Sequence, residues 1–356
     1  MVGISLLTLV PGAVGGSETY ARALTRALAR VGTLRYTALL PPVAADAHGG
    51  LPSRIASGYP PARTAFERAR AMAGAAVAPG RLRAELELGQ LDVIHYPLTV
   101  RLPAPDGTPT VVTAHDVMYL VHPRFFTAAH RVYRGLAYER AFRSARLVIA
   151  FSEHVARTLV EHARVASERV RVVPFGLDHA RFHPGVEARE PFLLYPAHRW
   201  PHKNHERLFA AFALLQAERP ELRLVLTGGG HERAQVPPGV VVRGRVPQEE
   251  LARLYRTASA VVFPSLYEGF GLPVPEAMAC GCPVAASNAG ALPEVCGGAA
   301  RLFDARSPEA IADGVADVLS RPEPFVERGL ERASHFTWEE CARAHDRVYA
   351  EASECA

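Results

Sequence analysis

Lysine is almost missing from this chain. One of its 40 basic side chains, Lys203, is a lysine, and the rest are arginines. A coding bias toward Arg explains the arginines but not the exception. Lys is a compact ammonium on a flexible stem and Arg is a flat fork, so they differ wherever a point charge must fit a tight polar site. Cysteine is scarce as well. The five residues Cys280, Cys282, Cys296, Cys341 and Cys355 are odd in number and form no C-x-x-C pair. That argues against a disulfide framework or a zinc site and fits a reducing compartment. A large charge of one sign is also lacking. The net charge is +4 and no dense basic run with interleaved aromatics occurs, so nucleic acid is not an expected partner. No apolar run approaches the ~20 residues needed to span a bilayer. The first charged side chain is Glu18, so residues 1–10 read as a first β-strand rather than as a secretory signal. The expected location is cytoplasmic.

What is present is enough apolar material for two cores. The chain has 356 residues, 49% of them hydrophobic, which favours two domains over one. Both halves repeat the rhythm apolar strand, turn, amphipathic helix. The first half predicts strands near 3–9, 35–40, 91–95, 110–114, 146–150 and 170–173, with helices near 17–30, 64–77, 127–143 and 153–163. The second predicts strands near 192–195, 222–226, 240–243, 260–263, 283–286 and 300–303, with helices near 204–217, 248–257, 273–280 and 308–319. Such alternation gives parallel sheets covered by helices on both faces, an α/β class. A stretch rich in Pro, Gly and His at 174–191 reads as a hinge. After Pro322 and Pro324 a last helix, roughly 337–352, puts Trp338, Cys341, Ala342, His345, Val348 and Tyr349 near one face. Such a helix needs an apolar surface to cover, and the first domain is the candidate.

Four motifs carry chemistry. The first is Tyr195-Pro196-Ala197-His198-Arg199-Trp200-Pro201-His202-Lys203-Asn204, an apolar strand running into a basic turn with a helix starting near Asn204. Anionic ligands bind at such strand ends, beside a helix N-terminus, so Arg199 and Lys203 read as a clamp on a diphosphate. Two solvated charges on a surface turn is the plainer alternative. His198 and His202 have the i,i+4 spacing of a metal pair, but Pro201 between them opposes a helix and no carboxylate sits nearby. No metal is expected. The second motif runs from Phe263 through Tyr267-Glu268-Gly269-Phe270-Gly271-Leu272-Pro273-Val274-Pro275-Glu276 to Ala279. A buried strand ends in a Gly-bracketed loop, and two prolines pre-set a helix start. Glu268 in the loop and Glu276 one turn into the helix are acceptors suited to sugar hydroxyls, one near a hexose and one near a ribose. A Glu stabilising a helix dipole beside an ordinary glycine turn would look the same. The third motif is Pro11-Gly12-Ala13-Val14-Gly15-Gly16-Ser17-Glu18, where Gly15 and Gly16 admit close backbone approach and Ser17 can cap the helix that follows. It is neither G-x-G-x-x-G nor a Walker loop, so NAD and ATP are poorly supported. The fourth is Val111-Val112-Thr113-Ala114-His115-Asp116, a strand ending in His-Asp, where His115 is a site candidate or a core histidine.

The spacing Glu268 to Glu276 resembles the E-x₇-E signature of glycosyltransferase family 4, retaining enzymes of the GT-B fold. The surrounding Gly244-Arg245-Val246-Pro247, Ala279-Cys280-Gly281-Cys282-Pro283 and Gly290-Ala291-Leu292-Pro293-Glu294 match it too. The resemblance implies two Rossmann-like domains facing each other across a cleft. It gives residues 1–175 as the acceptor-binding domain and 176–325 as the nucleotide-sugar domain. Residues 326–356 then form a C-terminal helix returning to the first domain. It implies that Glu268 faces the donor sugar, Glu276 the ribose, Arg199 and Lys203 the diphosphate, and His115 the sugar's O6 and reacting carbon. Gly15, Gly16, Gly228, Val246, Gly269, Phe270, Gly271 and Leu272 then complete the donor site. His122-Pro123-Arg124-Phe125-Phe126 and the final Phe336-Thr337-Trp338 resemble a subgroup that includes bacterial O-antigen and capsule mannosyltransferases. The implied reaction moves a hexose, first mannose from GDP-mannose, to a hydroxyl of a glycan, lipid-linked or small-molecule acceptor. UDP-glucose, UDP-N-acetylglucosamine and dTDP-sugar donors are the alternatives.

No D-x-D sequence occurs, so no metal or other cofactor is expected. Rivals of another class are a GT-B nucleotide-sugar epimerase, a phosphorylase with pyridoxal phosphate on Lys203, and a non-catalytic sugar-nucleotide-binding protein. Arg54, Arg63, Arg68, Arg70, Arg81 and Arg83 surround a thin apolar stripe of Phe66, Ala69, Ala73 and Val77. Peripheral contact with the inner face of a membrane, or with a lipid diphosphate acceptor, is one reading. A solvated helix face is the other.

Overall fold

The computed structural model describes residues 1–12, 15–60, 65–231 and 235–354, without the side chains of 65, 66, 68, 69, 73 and 76. Ala13, Val14, Arg63 and Cys355, and the side chains of Phe66, Arg68, Ala69 and Ala73, lie outside what is described. The chain divides into two units, Met1–Gly176 joined by the segment from Trp338 onward, and Leu177–Thr337.

The first unit is built on β1 (Val2–Ser5), β2 (Tyr36–Leu40), β3 (Ser53–Ile55), β4 (Val93–Tyr96), β5 (Thr110–Ala114), β6 (Leu147–Ala150) and β7 (Val170–Val172). They pair in the order β3-β2-β1-β4-β5-β6-β7, all parallel. The second carries β8 (Glu190–Pro196), β9 (Arg223–Thr227), β10 (Val240–Gly244), β11 (Ala258–Phe263), β12 (Val284–Ser287) and β13 (Arg301–Phe303). Their order is β10-β9-β8-β11-β12-β13, again all parallel. Central strands such as Thr110–Ala114 and Leu147–Ala150 are buried along their whole length, as expected of parallel strands covered on both faces. Chain order reverses between β1 and β4, and between β8 and β11. At such a switch point neighbouring crossovers leave in opposite directions and open a crevice at the strand C-termini.

Several elements differ from expectation, the short helices Met118–Val121 and Leu292–Cys296 among them. β3 is a short edge strand with two exposed residues, so it offers no apolar run to read. The helix Pro79–Glu85 was not expected either. Nor was Glu323–Ser334, because Pro322 and Pro324 read as breaks; Pro322 is instead the N-cap and Pro324 lies in the first turn, where a missing N–H costs nothing. That helix packs against Pro273–Ala279 in the second unit. Residues 326–337, assigned from sequence to the returning segment, therefore belong to the second unit. The apolar stripe near Val77 also needs correction. The helix Ala65–Val77 buries Ala71 and Ala75, while Val77 is 85% exposed. Arg54 and Arg83 do not join one basic surface. Arg54 donates to the Leu86 and Glu87 carbonyls, and Arg83 to those of Ala104 and Pro105. Among the described residues no helix is long and apolar enough to cross a membrane.

The last helix, Trp338–Glu354, packs on the helix Gly16–Val31 and on β4 and β5 of the first unit, burying Trp338, Cys341, Ala342, His345, Val348 and Tyr349. It also closes a buried polar chain that the sequence did not reveal. The Tyr349 hydroxyl lies 2.8 Å from His95 Nδ1, and His95 Nε2 lies 2.8 Å from Thr113 Oγ1. Thr113 Oγ1 is 3.0 Å from Tyr20 Oη, which is 2.7 Å from His345 Nε2, and His345 Nδ1 is 2.7 Å from the Cys341 carbonyl. One donor direction satisfies every group. Tyr349 donates to His95, His95 to Thr113, Thr113 to Tyr20, Tyr20 to His345, and His345 to the carbonyl. Both imidazoles must then be neutral. Burial pushes His95 well below its usual pKa and His345 down to about 4.

Tyr20→Phe is expected to cost about 1–3 kcal/mol in urea unfolding, because it leaves His345 Nε2 buried without a donor. The unfolded chain protonates these histidines below about pH 6.5 and the folded chain does not. Stability is therefore present above that pH and falls as pH drops toward 4. A melting temperature flat from pH 7 to 5 would contradict this.

Candidate active site

The basic turn follows β8 and the acidic loop follows β11, so both lie at the C-terminal ends of the two strands flanking the second switch point. Their backbones are tied together. Leu266 N donates to the His202 carbonyl at 2.7 Å, and Asn204 Nδ2 to the Pro264 carbonyl at 3.0 Å and the Ala305 carbonyl at 2.7 Å. Tyr195, buried in β8, donates to the Lys203 carbonyl at 2.6 Å. Asn204 takes the left-handed conformation, φ 62°, which Asn tolerates, and this corner turns the chain from Pro201–Lys203 into the helix His205–Glu218.

These ties bring the single lysine onto the loop glutamate. Lys203 Nζ lies 2.5 Å from Glu268 Oε1, and both side chains are only 12% exposed. The ammonium also lies 5.3 Å from the centre of the Phe263 ring. The sequence placed the two residues at one site but did not foresee their direct pairing. The loop bearing Glu268 is gripped from behind. Ala291 N donates to the Glu268 carbonyl at 3.0 Å, and a Cβ on Gly290, at φ +62°, would lie 2.6 Å from that oxygen. Only glycine lets the two backbones approach so closely.

Arg199 sits half-buried before the lysine turn, and its side chain has no ion pair among the described residues. Its backbone N–H donates to the Gly229 carbonyl at 3.0 Å. Gly228 permits this junction, since a Cβ there would lie 2.7 Å from the Ala197 carbonyl carbon. Val246 is half-buried two residues beyond Gly244, whose carbonyl accepts from Gly228 N at 2.8 Å. Gly269, Phe270, Gly271 and Leu272 lead directly into the helix Pro273–Ala279. His198 stacks on Trp200 with ring centres 5.2 Å apart, while His205 packs against His231 at 5.0 Å, so these histidines serve separate contacts.

Glu276 is more deeply set than its position in the motif suggested. It is buried, accepts from Tyr255 Oη at 3.0 Å, and burial raises its pKa to about 8. The Tyr255 phenol is held protonated by burial and by the neighbouring carboxyl. No sequence signal pointed to Tyr255, which is buried in the helix Gln248–Thr257 together with Ala252 and Leu254.

In the first unit, His115 follows β5. Its Nε2 donates to the Pro97 carbonyl at 2.8 Å, and Nδ1 faces Ser17 Oγ at 3.4 Å. Burial pushes its pKa down, so a neutral imidazole with Nδ1 as acceptor satisfies both contacts. Ser17 is not the helix cap expected. Gly15 is the N-cap residue of the helix Gly16–Val31, no side chain caps it, and Ser17 lies in the first turn. Among the described residues, a Cβ on Gly15 or Gly16 would meet nothing within 4 Å.

Comparison with known proteins agrees with this layout. Residues 14–181 match the family model described as Glycosyltransferase Family 4, and residues 178–332 match Glycosyl transferases group 1. The O-antigen chain mannosyltransferase B of Escherichia coli is 30% identical over 67% of this chain and 69% of that protein. A D-inositol 3-phosphate glycosyltransferase of Thermobispora bispora is 31% identical over 77% of this chain and 74% of that protein. The solved sucrose-phosphate synthase of Thermosynechococcus elongatus superposes with a TM-score of 0.76 at 22% identity, covering 100% of this chain and 99% of that one. With two parallel α/β units, an E-x₇-E loop and a basic turn meeting at one switch point, the chain belongs to glycosyltransferase family 4 and has the GT-B fold.

Proposed function

We propose that this glycosyltransferase moves a hexose, mannose from GDP-mannose in the first instance, to a hydroxyl of a glycan, lipid-linked or small-molecule acceptor, with retention and without a metal. The observation that carries the proposal is the Lys203–Glu268 pair beside an Arg199 that has no ion pair among the described residues. An ammonium has three N–H donors. Glu268 takes one, and the others are available to a diphosphate without breaking the pair. Arg199 adds a planar fork suited to phosphate oxygens. Two cations at this point stabilise the negative charge that grows as the sugar–phosphate bond breaks, the work a metal does elsewhere. Glu268 and His115 orient the sugar, and Glu276 and the turn around Val246 receive the nucleoside. The bond from the anomeric carbon to the phosphate oxygen breaks. The acceptor oxygen attacks the same face, and its proton passes to the departing phosphate oxygen. No protein nucleophile is needed. Mannose is put first because the O-antigen relative is a mannosyltransferase.

A thermal-shift panel of GDP-mannose, UDP-glucose, UDP-N-acetylglucosamine and dTDP-rhamnose tests the donor, since a ligand that binds only the folded state raises its melting temperature. GDP-mannose is expected to give the largest shift. Transfer is expected to survive a chelator, and a loss restored by Mg²⁺ or Mn²⁺ would remove the metal-free reading. Product formed without any acceptor would instead indicate an epimerase.

A further inference from the structure

The end of the first sheet opposite His115 holds a cavity of about 730 Å³ at the start of β5 and β6, with Thr110 and Leu147 in its wall. Arg101, Arg146 and Arg169 line it. None of the three has a carboxylate partner among the described residues. Arg101 donates to Ser144 Oγ, and Arg169 donates to the carbonyls of Phe142, Arg143 and Ala145. The Arg146 side chain is exposed, with no hydrogen bond or ion pair among the described residues. Two acids share the lining. Glu351 is bound through both oxygens by Arg171, and the Glu168 carboxylate, which accepts from Ser167 Oγ, has no arginine partner among the described residues.

Positive charge therefore exceeds negative charge at this place, and part of it is out of water. Arg101 Nε is buried without a partner, as is Thr110 Oγ1. Burial, together with nearby Arg140, pushes the Arg101 pKa down. A guanidinium removed from water without a counter-charge is unfavourable, and an anion in the cavity reverses that. Arginine forks fit the oxygens of a phosphate in pairs.

We infer that this cavity is a second anion site that takes a small phosphate-bearing molecule. It lies in the first unit, whereas Arg199 and Lys203 lie in the second. His115 follows the far end of the five-residue β5, roughly 16 Å away at ~3.3 Å per residue. The volume exceeds that of a bare phosphate, which favours an organic phosphate. Among the described residues, none of the exposed large apolar side chains lines the cavity, which favours a soluble anion over a lipid headgroup. The inference does not depend on the proposed donor or acceptor.

Inorganic pyrophosphate titrated calorimetrically is the probe. To remove binding at the donor clamp, the titrations use Arg199→Ala/Lys203→Ala as background. One saturable site is expected to remain there. Adding Arg146→Ser should weaken it about tenfold, the effect of losing one charge-assisted hydrogen bond, and adding Arg101→Gln as well should abolish it. Arg146 is exposed, so Arg146→Ser should melt at the background temperature without anion, which separates lost binding from lost fold. No saturable binding in the background variant overturns the inference, and so does unchanged binding after Arg146→Ser.

Discussion

Lys203→Ala is expected to reduce transfer by at least about 10²–10³-fold, the usual effect of removing a preorganised charge from a developing anion. It should also lower the melting temperature, because Glu268 then keeps a carboxylate that is 12% exposed with its cation gone. The two effects separate in a second variant. Lys203→Ala/Glu268→Gln removes the orphaned charge, so its melting temperature should recover while transfer does not. Lys203→Arg tests the point-charge idea directly. A flat fork cannot place one nitrogen 2.5 Å from Glu268 Oε1 and keep the same two donors toward a diphosphate. Transfer should fall at least tenfold even though the charge is retained. Wild-type turnover in Lys203→Arg would show that any cation suffices there.

Glu276→Gln is expected to act on stability and on donor binding in opposite directions. With a pKa near 8, the folded protein keeps this carboxyl protonated at pH values where the unfolded chain has ionised it. The folded state binds the extra proton, so stability falls as pH rises from about 4.5 to about 8, at up to ~1.4 kcal/mol per pH unit. Gln resembles the neutral acid and can still accept from Tyr255. The variant should therefore melt higher than wild type at pH 8 and about equally at pH 4. Two ribose hydroxyls, by contrast, are received best by a carboxylate. Donor affinity of the wild type should rise with pH through 8 and that of the variant should stay flat. By pH 9 the wild type should bind at least tenfold tighter, as expected from a charged hydrogen bond worth roughly 1.5–3 kcal/mol. Parallel pH profiles would show that Glu276 does not ionise to meet the ribose.

Much of this molecule was legible in its residues. Strand-and-turn alternation gave two parallel α/β units, because strands buried on both faces must be continuous apolar runs. The stripe Trp338, Cys341, His345, Tyr349 identified a helix that needed an apolar surface, and the first unit supplies it. The residues of the basic turn and of the E-x₇-E loop were visible because turn glycines, helix-starting prolines and isolated charges at strand ends are local features. Less was legible where the deciding contact is distant in the chain. Pro322 and Pro324 start a helix instead of breaking one, and Ser17 faces His115 instead of capping.

By itself, then, the sequence determined the fold class, the order of the elements and which residue types stand at the strand ends, since each depends on periodicity or on neighbours a few residues away. Tertiary structure decided how those residues pair and ionise. Lys203 and Glu268 are 65 residues apart, and they meet because β8 and β11 are neighbours in the sheet. Glu276 holds its proton because packing takes it out of water against Tyr255. His95, Thr113, Tyr20 and His345 form one directional chain only once the last helix has returned to the first unit. Pairing and desolvation are properties of the space around a side chain, and that space exists only after the chain has folded.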